Sequence, residues 1–323
     1  MNSADDLIQL VQSDFDALND LLLNQLGSEV DLVETISQYL IQSGGKRVRP
    51  LLTLITSRAL AIANTDHIAA AAVIECLHTA TLLHDDVVDE SKARRGKPSA
   101  NVLFGNAPSV LVGDFVYSRA FQLMVGIGNL DLLRLMANTT NLIAEGEVWQ
   151  LNNQFRPDLT EAEYDAVIIR KTAVLFQAAA GAAGLVSGAN SDTVDALKRY
   201  GMSVGLAFQL MDDWLDYGGD SDALGKHVGD DLADGKTTLP LLIARDRAAV
   251  ADQELLINAI TAGDRTAFTA VCRIIRQEGG LDYTLQRAEK AVEDAMRALN
   301  CLPPSTFKEG LEVLARLAVQ RTS

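Results

Sequence analysis

Residues 68–90 read IAAAAVIECLHTATLLHDDVVDE, an apolar run that ends in Asp85, Asp86, Asp89 and Glu90. Alanine and leucine dominate it, and its apolar residues show no strand-like alternation, so it reads as a helix with carboxylates gathered at its C-terminal end. Residues i and i+4 share a helix face, so Asp85 and Asp89 point together and Asp86 flanks them. Acids this close repel one another, and the helix dipole disfavours them at a C-terminus. An exposed helix end is the plain reading; a cation that neutralises the cluster resolves the conflict. Oxygen-only ligands imply a hard ion, and carboxylates shared with substrate phosphates are the usual Mg²⁺ arrangement.

The pattern recurs. Residues 202–217 read MSVGLAFQLMDDWLDY, again apolar and helical, again ending in DDxxD at Asp212, Asp213 and Asp216. Two such clusters on facing helices would form an acidic jaw for several Mg²⁺ ions gripping a diphosphate. Basic groups complete the constellation. Lys46, Arg47 and Arg49 follow Gly44-Gly45, where backbone can approach an anion closely. Arg94 and Arg95 lie just past the first cluster, and Lys171, Lys226 and Lys236 come later. Any one of them alone reads as a solvated surface charge. Two separate basic sets suggest two diphosphates, one held through metal and one directly.

Helical periodicity runs through nearly all of the rest, near 29–42, 48–63, 108–127, 130–154, 161–188, 238–248, 252–261, 264–277, 281–299 and 305–320. Asp66 and Ser191 read as N-caps, and Pro108 and Pro240 as first-turn prolines. No strand pattern stands out, and no linker or composition break divides the chain. The expectation is an all-α fold in one domain, 1–323. With 48% hydrophobic residues the chain can bury a large core, and its net charge of −15 argues against nucleic acid as a partner. Cys76, Cys272 and Cys301 form no CxxC and read as reduced thiols. The acidic N-terminus has no signal-peptide character, and the apolar stretches 68–83 and 176–189 fall short of the ~20 residues of a membrane span. A cytoplasmic protein with no stable membrane span is expected.

The segments GGKRVRP (44–50), LLHDDVVDESKARRGK (82–97), GDFVYSRAF (113–121), AEGEVWQL (144–151), KTAVLF (171–176), FQLMDDWLDY (208–217) and GKHVGDDLADGKTTLPLL (225–242) resemble those of trans-isoprenyl diphosphate synthases, in the family's order and along nearly the whole chain. The resemblance implies an all-α bundle around a deep central cavity, paired as a homodimer. It implies a prenyltransferase that condenses an allylic diphosphate, such as farnesyl diphosphate, with successive isopentenyl diphosphates. By position, Lys46, Arg49 and His78 would bind isopentenyl diphosphate, aided by Arg95. Asp85 and Asp89 would ligate Mg²⁺ with Asp86 in support, and Asp212, Asp213 and Asp216 would carry the remaining metal, Asp212 foremost. Arg94, Lys171, Thr172, Gln209 and Lys226 would hold the allylic diphosphate, with Lys236 contributing. The C-terminal RTS matches less well a basic tail that closes over the site in some members.

A lone histidine in an apolar helix is usually a hydrogen-bonded core residue; for His78, seven residues before Asp85 on the same face, the resemblance favours the ligand reading. Trp149 and Trp214 read as packing residues. Short-chain members block their tunnel with aromatics four or five residues before the first Asp; here those positions hold Thr81 and Ala80. A long product is therefore expected, octaprenyl (C40) for a quinone side chain, with C45 and C50 open. The small residues 178–189 permit close helix approach, within or between chains. A terpene cyclase would replace the second DDxxD, a metal phosphohydrolase would leave it unexplained, and a noncatalytic subunit should have lost site residues.

Overall fold

The long helix that ends in Asp85 and Asp86 organises much of what surrounds it. The computed structural model describes residues 1, 3–42, 47–94, 96–219 and 229–320. The N-terminal helices are α1 (Ala4–Leu10), α2 (Gln12–Gln25), α3 (Asp31–Gln42), α4 (Val48–Ala59) and α5 (Asp66–Val88). A two-residue antiparallel pair follows, β1 (Ala93–Arg94) with β2 (Lys97–Pro98). Next come α6 (Ala100–Phe104), α7 (Asn106–Ile127), α8 (Leu130–Asn152) and α9 (Glu161–Ile168). A π-helical turn, Ile169–Ala173, joins α9 to α10 (Val174–Val186), and α11 (Ser191–Gly218) carries the second acidic cluster. The remaining helices are α12 (Asp230–Ala233), α13 (Leu239–Arg247), α14 (Val250–Ala262), α15 (Phe268–Gln277), α16 (Gly280–Ala298) and α17 (Thr306–Val319). The fold is all-α, as expected.

The differences from expectation are local. Asp66 and Ser191 are the first residues of their helices rather than caps. Asn190 caps α11, accepting from the Thr193 N–H at 2.9 Å, and Asn64 holds the Asp66 N–H at 3.0 Å. An Asn side chain one or two residues upstream thus supplies the oxygen that Ser or Asp was expected to give. Pro240 sits in the first turn of α13, as expected. The β1–β2 pair was not foreseen, because two residues cannot display an alternation.

The chain divides into two compact units. The first comprises Met1–Thr140, Leu175–Gly201 and Ala298–Leu314. Here α5 buries Ala70 to Ile74, Leu77, Ala80 and Leu83, and packs on α7, α4 and α2. Those helices answer with Val112 and Val116, with Leu51, Leu52, Leu54 and Ile55, and with Leu18 and Leu22, all buried. Each large side chain contributes ~1.5–3 kcal/mol of gross burial energy. The small-residue stretch is used within this unit: Ala178, Ala179, Ala180, Ala182 and Ala183 are fully buried. A Cβ at Gly201 would lie 2.3 Å from the Phe176 carbonyl oxygen, so α10 and α11 approach too closely there for any side chain. At one end of α5, Asp14 pairs with Arg58 and lies 3.4 Å from His67, tying α2, α4 and α5 together.

The second unit comprises Asn141–Val174, Met202–Arg297 and Ala315–Ser323. One cluster joins Tyr164 and Ile168 to Leu210, Met211, Leu239 and Leu242, with Trp214 packed against it. Another gathers Tyr217, Leu241, Leu256, Ile260, Val271 and Ile275. Trp149 packs too, under the Arg170 guanidinium at 4.8 Å.

One expectation is corrected by the helix bounds. Asp66–Val88, Asn106–Ile127 and Glu161–Val186 are each long and apolar enough to cross a membrane by length and composition. The stretch 68–83 lies inside the longer helix Asp66–Val88, and 176–189 overlaps the C-terminal part of Glu161–Val186. In the first and third of these, 56% and 72% of the apolar window is buried inside the protein. For Asn106–Ile127 the share is 28%.

Candidate active site

In the first unit, Asp85 and Asp86 lie in the last turn of α5 and Asp89 is its C-cap. The helix stops there because Glu90 turns left-handed at φ 49, letting the Ser91 N–H reach back to the Asp86 carbonyl at 3.0 Å. That is a Schellman closure with glutamate where glycine is usual. Asp85 and Asp89 are half-buried, whereas Asp86 is buried and turned inward. The β1–β2 pair folds back so that Arg94 grips Asp86, with Nε at 3.0 and 3.1 Å from its two oxygens and Nη2 at 2.7 Å. Asn101 Nδ2 donates to the Asp86 carbonyl at 2.9 Å. Asp86 thereby fixes Arg94 beside the cluster.

Arg49 and His78 are brought together. Arg49 Nη1 donates to His78 Nε2 at 3.1 Å, which places the imidazole proton on Nδ1. The same guanidinium lies 4.5 Å over the Phe176 ring. A cavity of about 800 Å³, its open mouth included, is lined by Arg47, Glu75, His78, Thr79, Asp86 and Arg94 over an apolar floor including Leu22 and Leu26. Lys46 and Arg95 lie outside the described residues, as do Lys226 and the C-terminal RTS. Down α5 from Asp85, Thr81 bonds its hydroxyl to the His78 carbonyl at 2.8 Å, and Ala80 is fully buried.

In the second unit, the π-turn displays Lys171 and Thr172. The Val174 N–H bonds the Ile169 carbonyl five residues back, so one extra residue is accommodated and the side chains after it are re-aimed. Gly146 of α8 makes room: a Cβ there would lie 2.7 Å from Arg170 Cβ and 3.0 Å from the Lys171 nitrogen. Lys171 Nζ pairs with Glu147 at 2.6 Å, and the Thr172 hydroxyl donates to Gln209 Oε1 at 2.7 Å. Lys236 pairs with Asp234 at 2.9 Å.

The three aspartates of the second cluster differ. Asp212 is half-buried. Asp213 is 3% exposed, and both its oxygens are taken: Tyr164 donates at 2.5 Å and Gln209 Nε2 at 2.8 Å. These bonds hold Asp213 in an interior hydrogen-bonded position, with Asp212 more open beside it. Asp216 accepts from the Gly229 N–H at 3.2 Å through one oxygen; the other is buried without a hydrogen bond. Burial, and then the neighbouring Asp231 charge, push the Asp216 pKa up to about 7. The same two causes raise Asp213, against the hydrogen bonds from Tyr164 and Gln209. Crowded carboxylates with one orphaned oxygen fit a hard divalent cation. Among the described residues, however, no three acidic, histidine or cysteine side chains converge enough to hold an ion by themselves. Mg²⁺ suits such a site, since it takes one or two carboxylates and completes its shell with phosphate and water.

Sequence reasoning passed over Asp231, Glu147 and Tyr164. The first two stand inside the quoted segments GDDLADGK and AEGEVWQL, where paired acids after Gly229 and an acid beside Gly146 were the available signals. Nothing local marked Tyr164, whose hydroxyl meets Asp213 across 49 residues of sequence.

Comparison with known proteins fits this geometry. The chain is similar to octaprenyl diphosphate synthase of Escherichia coli (strain K12), at 46% identity over 97% of each chain. Among solved structures it resembles a polyprenyl synthase from Caulobacter crescentus CB15 complexed with calcium and isoprenyl diphosphate. The TM-score is 0.95 at 42% identity, covering 100% of this chain and 99% of that one. A decaprenyl diphosphate synthase from Rhodobacter capsulatus gives TM-score 0.94 at 41% identity, covering 99% and 100%. The sequence model of the family described as polyprenyl synthetase matches residues 30–276. By family model, by relatives aligned along nearly their whole length, and by fold, the chain belongs to the polyprenyl synthetase family.

Proposed function

We propose that this polyprenyl diphosphate synthase is a Mg²⁺-dependent long-chain enzyme that extends farnesyl diphosphate with isopentenyl units to octaprenyl diphosphate, a quinone side-chain precursor. The observation that carries the reading is a pair of carboxylate-bearing helix ends, each with fixed cations in its own unit. Asp85 and Asp89 in one unit, and Asp212 with Asp216 in the other, are the residues to hold metal. Mg²⁺, when bound, supplies positive charge against the leaving diphosphate. Both units serve one catalytic domain in this reading, in keeping with a family match that includes residues of both.

The side chains divide the remaining work. Arg49 and His78, with Lys46 and Arg95, bind isopentenyl diphosphate; Arg94, Lys171, Lys226 and Lys236 bind the allylic diphosphate. Glu147 holds Lys171 in place while the anion is absent. Thr172 gives its only hydroxyl hydrogen to Gln209, so it presents lone pairs. Those lone pairs suit an allylic carbon gaining positive charge beside the diphosphate. A buried, apolar surround keeps water from quenching the cation. The proton released after attack by the isopentenyl double bond passes to the departing diphosphate.

Product length rests on α5. Ala80 and Thr81 put no ring below Asp85, and Leu77, Ile74 and Val73 continue the apolar face. The C40 product agrees with the similarity to the E. coli octaprenyl enzyme, and C50 with that to the Rhodobacter decaprenyl enzyme. A cytoplasmic location accords with free Cys76, Cys272 and Cys301. The purified chain, given farnesyl and isopentenyl diphosphates with Mg²⁺, should yield a C40 alcohol after dephosphorylation. A dominant C45 or C50 peak would reassign the length, and no product at all would leave a noncatalytic subunit.

A further inference from the structure

Tyr164, on α9, is 4% exposed, and its hydroxyl donates to Asp213 Oδ2 at 2.5 Å. Gln209, one turn before Asp213 on α11, donates from Nε2 to the other oxygen, Oδ1, at 2.8 Å. Its Oε1 accepts the Thr172 hydroxyl at 2.7 Å. Four side chains therefore form an unbroken hydrogen-bonded run from a buried phenol to the π-turn, entirely inside the second unit.

The run has a direction. Both Asp213 oxygens accept, one from the Tyr164 hydroxyl and one from Gln209 Nε2. The NH₂ end of Gln209 must then face Asp213 and its oxygen must face Thr172. Thr172 has one hydrogen, and that oxygen takes it. Its lone pairs are left to point elsewhere.

We infer that Tyr164 is a positioning residue for the prenyl-transfer step, acting through Asp213 and Gln209 to hold Thr172 as an acceptor toward the allylic group. The inference rests on the functional reading above. Removing the phenolic hydrogen leaves Asp213 Oδ2 buried with no donor, a state costly enough to drive local rearrangement. Gln209 Nε2 is then the donor left in the run; drawn toward Oδ2, the amide takes its oxygen off the Thr172 hydroxyl, whose hydrogen is freed to point where lone pairs had. A phenol that merely stabilised the unit would act alike whatever residue stood at 172.

A double-mutant cycle separates these cases. Tyr164→Phe and Gln209→Met should each lower kcat about tenfold, with KM for both diphosphates within about twofold of wild type. Thr172→Val should lower kcat as well, and adding Tyr164→Phe to it should cause no further loss. An unchanged kcat in Tyr164→Phe, or a full additional tenfold loss in the Thr172→Val background, overturns the inference. If circular dichroism shows that Tyr164→Phe does not fold, the cycle of Gln209→Met with Thr172→Val decides by the same criterion. A wild-type chain that makes no polyprenyl product overturns the functional reading and this inference together. An active wild type with additive variants overturns this inference alone.

Discussion

Identical letters in a motif occupy different chemical positions once folded. In DDVVD the middle carboxylate, Asp86, is buried and gripped by Arg94, while Asp85 and Asp89 stay half-open. In DDWLD it is again the second aspartate that turns inward, here to Tyr164 and Gln209. On each helix the adjacent aspartates point about 100° apart, so one can face an open site only if the other faces the protein. Asp85→Ala and Asp212→Ala should each lower turnover by roughly 100- to 1000-fold or more while far-UV circular dichroism stays native. Raising Mg²⁺ should not restore either. A near-normal rate in either variant would show that its cluster does not hold the diphosphate through metal.

At the scale of elements, the proposed reading assigns the specificity to two helices. Along α5 it gives the side chains four and five residues before Asp85 control of how far a chain grows. Ala80 lies ~7.5 Å along the axis from Asp85, about the length of a short prenyl tail. Ala80→Tyr should shift products from C40 toward C15–C20, read by reverse-phase chromatography. Ala80 is fully buried, so the ring should also cost ~1–3 kcal/mol of stability, visible as a lower Tm. Unchanged long products from a folded variant would mean that the tail takes another path. The second helix is interrupted by the π-turn at 169–173, which re-aims Lys171 and Thr172 and depends on Gly146 for clearance.

For the whole molecule, α7 poses a problem of exposure. Leu111 and Val125 are 67% and 68% exposed, and Val102 and Leu103 on α6 add to the apolar surface of the first unit. Isolated exposed apolar residues are ordinary, but a series along one long helix suits a two-fold contact with a second copy. We propose this face for the homodimer contact implied by the family resemblance, since Ala178 to Ala183 of the small-residue stretch are buried within the chain. Light scattering should give twice the 34.8 kDa chain mass, and Leu111→Glu should shift the species toward monomer. A fully active wild-type monomer would refute the pairing.

The sequence by itself determined what depends on near neighbours. Helix class, most helix bounds and the two acidic ends follow from spacings of three and four residues, which backbone geometry converts directly into shared faces. Arg49 with His78 and Thr172 with Gln209 were named from family resemblance, and their contacts needed the fold. Only the tertiary structure decided which acids are interior. Asp213 owes its burial to α9, and Asp216 its shifted acidity to burial and to Asp231, contacts that no local pattern encodes. The π-turn likewise arises where α8 closes on Arg170, and the Asn64 bond and the Asn190 cap depend on where each helix actually starts. Local spacing fixes which residues share a helix face; long-range packing fixes what that face meets.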